Sequence, residues 1–247
     1  MPDFTQQDLG GSRFEDVSLR DARFHWVDLS GARITSARVI DVEITGDVEN
    51  LRVNGVDVAP LIEAELDRRH PDRVKMRAST PAEFREAWDL VQSLWRGTIE
   101  RARGLPEDQV HERVNGEWSF VETVRHLLFV TDAWVVRTVL GHPQPWHPLD
   151  LPFDEMADEP SIPRDREARP TLDEVLDVLA DRRAAVTLLI EGLTAEQLDS
   201  MTTPVAEPGY PEAGSYEVRQ CLRTVLEEEW EHRLYAERDL EILTHAP

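Results

Sequence analysis

The chain has 247 residues, one cysteine and a formal charge of −22, enough for one large domain or two unequal ones but not for a disulfide or a multi-cysteine metal site. Such charge argues against a phosphate backbone, whose counterions only Lys and Arg displace, and against an anionic membrane surface. Hydrophobic content of 40% beside 31% charged residues fits a globular protein, and no apolar run approaches the roughly 20 residues of a membrane span.

In chain order, the first segment, Met-Pro-Asp-Phe-Thr-Gln-Gln-Asp, lacks the basic and apolar regions of a secretory signal. The cytoplasm is therefore the expected compartment. Leu9, Phe14, Leu19, Phe24, Leu29, Ile34, Val39 and Ile44 then recur at strict five-residue spacing. Two positions before them stand Ser12, Val17, Ala22, Val27, Ala32, Ala37 and Val42, with Gln7 the one departure from small or β-branched residues. Neither a helix (period 3.6) nor a strand (period 2) produces this spacing, and a fixed period signals a solenoid. The stretch resembles the pentapeptide-repeat family, which implies a short right-handed quadrilateral β-helix over residues 1–58. The resemblance further implies that the central residue and the one two before it fill the interior. Some long members of that family are acidic rods that mimic DNA, but two coils are too short for it. A small docking or dimerising module fits better.

Residues 59–77 predict a helical connector, with Pro60 at a first helical position and Pro71 beyond its end. The second domain is expected over 78–247. Ser79-Thr80-Pro81 opens a helix to about Arg103 whose Phe84, Trp88, Val91, Leu94 and Trp95 form one apolar stripe. A second helix is predicted from about Ser119 to Leu140, then a Pro-rich acidic loop over 142–170 of the kind that borders sites. Thr171-Leu-Asp-Glu starts a third helix that stops near Gly192. A short turn follows Thr194, and a fourth long helix covers about Ser215 to Leu243. The expected fold is mainly α, an antiparallel four-helix bundle, an architecture that builds metal sites from facing core side chains.

Three residues carry the functional signal. Glu228 and His232 stand at i and i+4, one above the other on a helix. His126 lies on a core-facing stripe of another helix with Glu122, Phe129, Val130, Ala133 and Arg137. Two His and one carboxylate from facing helices supply three ligands and leave a coordination position open, as in catalytic zinc sites. Glu229, at i−3 from His232, competes with Glu228 for the ligand role. The same residues also fit a buried Glu–His ion pair holding no ion.

Residues 79–247 resemble the DinB-like four-helix family, which includes small-thiol transferases and the mycothiol-dependent maleylpyruvate isomerase. The resemblance rests on Glu117-Trp118-Ser119, Thr123 and His126-Leu127-Leu128, and on Glu228-Glu229-Trp230-Glu231-His232 with Tyr235. Many members carry HxxxH; Glu228 replaces the first of that pair, giving the ExxxH pattern of the mycothiol-dependent type. The resemblance implies a divalent metal, zinc or nickel, on His126, Glu228 and His232, with a small thiol as cosubstrate and an electrophile as its partner. Lys75 is the only lysine beside twenty-six arginines. That bias points to a GC-rich, actinobacterial-type genome, where mycothiol would be the thiol. No lysine is placed for Schiff-base chemistry.

Arg137 is the candidate substrate-binding residue, with a salt bridge to a loop acid as its plainer use. Trp118, Trp134 and Trp230 fit packing, and Cys221 fits a small core side chain. No role is assigned to His142 or His147. The preferred reading is a metal-dependent thiol S-transferase or isomerase. A metal-dependent hydrolase and a non-catalytic, stress-related binding module stand as alternatives, and the sequence leaves a homodimer open.

Overall fold

The computed structural model describes residues 4–5, 7–25, 27–46, 48–154 and 156–245. The first three residues and the last two lie outside these. Two compact units divide between Val48 and Glu49, earlier than the boundary expected at residue 58.

In the first unit, five-residue spacing becomes five-residue turning. Positive φ recurs at Gly11, Asp16, Asp21, Gly31, Ser36, Asp41 and Gly46, a conformation that Gly and small polar residues reach at least cost. Ser12, Ala22 and Ala32 donate backbone N–H to the carbonyls of Leu9, Leu19 and Leu29 at 3.0, 3.2 and 2.9 Å. Asp8 and Asp28 each accept from a backbone N–H two residues on, at 2.8 Å. These are the corners of a square coil. The sealed interior expected for it is not present among the described residues: Phe14, Phe24, Ile34 and Ile44 remain 57–75% exposed, and no strand forms in the described residues before 52. A ring of side chains is covered only by the ring above or below it, and two coils provide too few rings.

The second unit begins with a hairpin, β1 (Arg52–Val53) and β2 (Val56–Asp57). Asn54 and Gly55 both take positive φ in its turn, as a two-residue hairpin loop requires. Helix α1 (Ala59–Arg69) follows, then a 3-10 segment (Pro71–Arg77) packed against α1 and two helices of the bundle. The bundle helices are α2 (Pro81–Arg103), α4 (Phe120–Thr131), α5 (Leu172–Gly192) and α7 (Val218–His245). One-turn helices α3 (Glu107–Val110) and α6 (Ala195–Leu198) lie in the connections. Thr80, Ser119, Thr171 and Thr194 each close a reciprocal capping box, so each start is fixed by its own local sequence.

The helix predicted to Leu140 is continuous, but Asp132–Val139 has π geometry, and Thr138 Oγ1 donates to the Ala133 carbonyl five residues back at 2.7 Å. Helix α2 packs on α5 and α7, and α4 packs on the same two. Arg219 and Arg223 near the start of α7 bond the carbonyls of Ser79 and Ala78, while Arg101 at the end of α2 pairs with Glu237 and Glu241. Helices α2 and α7 therefore run parallel. Arg103 pairs with Asp173, and Arg85 reaches the Leu193 carbonyl, so α2 and α5 are antiparallel. Val121 and Val124 cluster with Leu172 and Val175, and Phe129 and Val130 with Val186 and Ile190. Helices α4 and α5 thus start at the same end, and the 140–171 connection must travel the length of the bundle. It passes the site on the way.

Candidate metal centre

His126 points inward because the whole of α4 is buried, and its exposure is 4%. The 140–171 connection presents the Leu151 carbonyl to it, 2.9 Å from Nδ1. A carbonyl only accepts, so Nδ1 carries the proton and Nε2 keeps a lone pair. From α7, Glu228 Oε2 lies 3.5 Å from that Nε2 and 3.0 Å from His232 Nε2. One ligand atom from each of the three residues falls within 4.8 Å of the other two. The 3.0 Å His232–Glu228 contact is within hydrogen-bond distance, whereas the 3.5 Å His126–Glu228 separation is long for one. Two imidazole nitrogens and a carboxylate oxygen suit a zinc-type divalent ion, and the donor set fits the group.

The electrostatics agree with the geometry. Burial acts to raise the Glu228 carboxyl, but the imidazoles of His126 and His232 outweigh it and hold the group far below the carboxylate range. Burial pushes His232 down, against the pull of Glu228, which keeps the imidazole neutral as a ligand requires. Trp118 lies against both rings, 4.7 Å from His126 and stacked at 6.0 Å on His232. Tyr235 meets His232 edge-on at 6.0 Å. The side chains of Glu228 and His232 remain 34% and 17% exposed, so the cluster opens to solvent on the α7 side.

Glu229 is used elsewhere. It is 1% exposed, its carboxylate takes a two-nitrogen fork from Arg183 at 3.0 and 2.6 Å, and its carbonyl accepts from Trp95 Nε1. Arg137 does not join the cluster. Its guanidinium is buried and donates to the carbonyls of Pro143 and Glu207, so it ties two connections to the bundle, with the acids Glu207 and Glu159 near it. Cys221 has no exposed surface, and burial pushes its thiol up to about 11. Trp230 is buried and meets His70 edge-on at 6.4 Å, on the far side of α7. His142 is exposed, and His147 Nδ1 accepts from the Leu149 N–H.

The sequence marked the 142–170 loop as bordering a site, but not Arg125 and Leu151, the residues through which it serves His126. Arg125, with no exposed surface, donates to the carbonyls of Leu149, Asp165 and Ala168, and Leu151 N–H bonds the Arg125 carbonyl at 3.3 Å. Backbone partners carry no side-chain signal. Tyr210 was also unmarked; burial, then the Glu228 charge, raises its phenol.

The family model of the DinB superfamily matches residues 90–236, a span that contains all three candidate ligands. Pentapeptide repeats, in 8 copies, match residues 3–35. Among curated proteins none matches this chain.

Proposed function

Because the chain belongs to the DinB superfamily, we propose that His126, Glu228 and His232 hold one divalent ion, zinc or nickel, and that the protein is a thiol S-transferase or isomerase of the mycothiol-dependent kind. The observation that carries the reading is the Leu151 carbonyl on His126 Nδ1, which turns Nε2 toward Glu228 and His232 as a ligand must be turned. When bound, the ion would keep a coordinated small thiol deprotonated at neutral pH. The side chains divide the remaining work. Glu228 supplies the compensating negative charge, Trp118 shields the imidazoles on one side, and the open α7 side admits the thiol and the electrophile.

The test is metal content of protein purified without chelators or a His tag, beside His126→Ala and His232→Ala. One ion per chain in the parent, lost in both variants, is the expected result. A parent that takes up no ion on titration would leave a buried polar cluster and favour a non-catalytic binding module. With metal established, turnover of electrophiles without added thiol would sink the transferase reading in favour of a hydrolase.

A further inference from the structure

Two carboxyl groups have no exposed surface, Asp132 on the π segment and Asp150 within the 140–171 connection. Asp132 takes two bonds from Arg182, Oδ1 to Nε at 2.5 Å and Oδ2 to Nη2 at 3.2 Å. Asp150 has no such partner. Its Oδ2 accepts from the His147 N–H at 3.0 Å, and its Oδ1 is buried with no hydrogen-bond partner.

The charged and titratable groups that face Asp150 are Asp132 on the π segment, Arg182 on α5, Arg125 on α4 and His147 in its own turn. Arg182 is committed to Asp132 and the Pro145 carbonyl. Arg125 ends on the three carbonyls named above. An ionised carboxylate here would leave one oxygen unsolvated beside a second anion, the costly way to bury a polar group. A neutral carboxyl leaves at most one hydrogen bond unmade. Burial, then Asp132, accordingly raises Asp150 well above the usual carboxylate range.

The position of Asp150 gives this neutral acid a purpose. Its N–H donates to the His147 carbonyl at 2.9 Å while Oδ2 accepts from the His147 N–H, so one residue ties the turn 147–150 twice. The next residue, Leu151, is the one that meets His126. We propose that Asp150 is a positioning residue for the metal centre: it locks the turn whose Leu151 carbonyl fixes His126 with Nε2 facing Glu228 and His232. This rests on the metal reading for its consequence, while the lock itself is a property of the metal-free chain.

The test uses full-length protein with 15N-labelled histidine, comparing the parent, Asp150→Asn and Asp150→Ala. Nitrogen shifts report the His126 tautomer in metal-free protein, and competition with a chromophoric chelator reports Zn2+ affinity. The parent is expected to hold the Nδ1–H form. Asp150→Asn, a neutral isostere, should keep that form and bind Zn2+ within about twofold of the parent, whereas Asp150→Ala should mix tautomers and weaken Zn2+ by about tenfold or more. An Asn variant as damaged as the Ala variant, or an Ala variant unchanged in tautomer, would overturn the proposal. Should the Ala variant not fold, the Asn variant decides alone: a parent-like tautomer supports the lock, and a mixture refutes it. A parent that binds no Zn2+ would defeat the metal reading, and the tautomer comparison would still decide the lock.

Discussion

Phe14 and Phe24 keep 57% and 60% of their surface open, whereas Phe84 and Phe129 keep 0% and 1%. Both pairs were marked by hydrophobic periodicity of similar strength. The difference lies in how each architecture covers an apolar face. Each bundle helix packs against two bundle neighbours, so one stripe is enclosed from several directions. A pentapeptide ring meets only the ring before and the ring after, and a two-coil solenoid has no ring enclosed on both sides. Period predicts which residues turn inward; neighbours decide whether inward means buried.

The sharpest way to break that contrast is truncation of one phenylalanine in each unit. Phe84→Ala should cost about 3–5 kcal/mol and Phe24→Ala no more than about 1 kcal/mol, both read by urea unfolding. Equal losses would mean that the first unit has a closed core in solution. A second contrast sets neighbours on α7 against each other. Glu229→Gln strands Arg183 and should destabilise by about 3 kcal/mol or more while leaving metal uptake in place. Glu228→Gln should reduce uptake, and at neutral pH it should also lower the unfolding midpoint, because the carboxylate that the two imidazoles stabilise is lost. Loss of uptake in the Glu229 variant alone would reassign the ligand.

The buried acids give the bundle a pH signature that the exposed carboxylates of the first unit cannot. Burial raises Asp132 from 3.8 to about 6, against the pull of Arg182. The folded state then binds more protons than the unfolded chain between those values, so stability should fall as pH rises from about 4 to about 6, by up to about 3 kcal/mol. Asp150, raised by burial and by Asp132, contributes in the same direction. Glu228 acts in the opposite sense, because a carboxyl held low loses its stabilisation only as pH drops beneath its ordinary range. Unfolding curves for the parent and Asp132→Asn across this interval should differ in slope; parallel curves would count against a raised Asp132. The smallest effect belongs to a local cap: Thr171→Ala should cost about 1 kcal/mol, read by the same unfolding curves.

Much of the bundle was legible. Capping residues at Thr80, Ser119, Thr171 and Thr194 and the stripe through Phe84, Trp88, Val91 and Trp95 set helix starts and core faces through interactions within a few residues. The grouping of His126, Glu228 and His232 was legible for the same reason, since helical phase fixes which way each residue points. Arg137 shows the limit. Its phase matched that of His126, yet carbonyls of two connections take up its guanidinium, and no periodicity encodes where a connection passes.

The sequence by itself determined the five-residue turning of the first unit, the helices of the second and the inward faces that carry His126 and His232, because each follows from local geometry repeated along the chain. Only the tertiary structure decided that α4 and α5 run parallel, which draws the 140–171 connection down the bundle and sets the Leu151 carbonyl on His126. It also chose between adjacent glutamates, giving Glu229 to Arg183 and Glu228 to the histidines. Those outcomes depend on groups far apart in the chain, and a pairing across that distance is fixed only when packing brings the partners together.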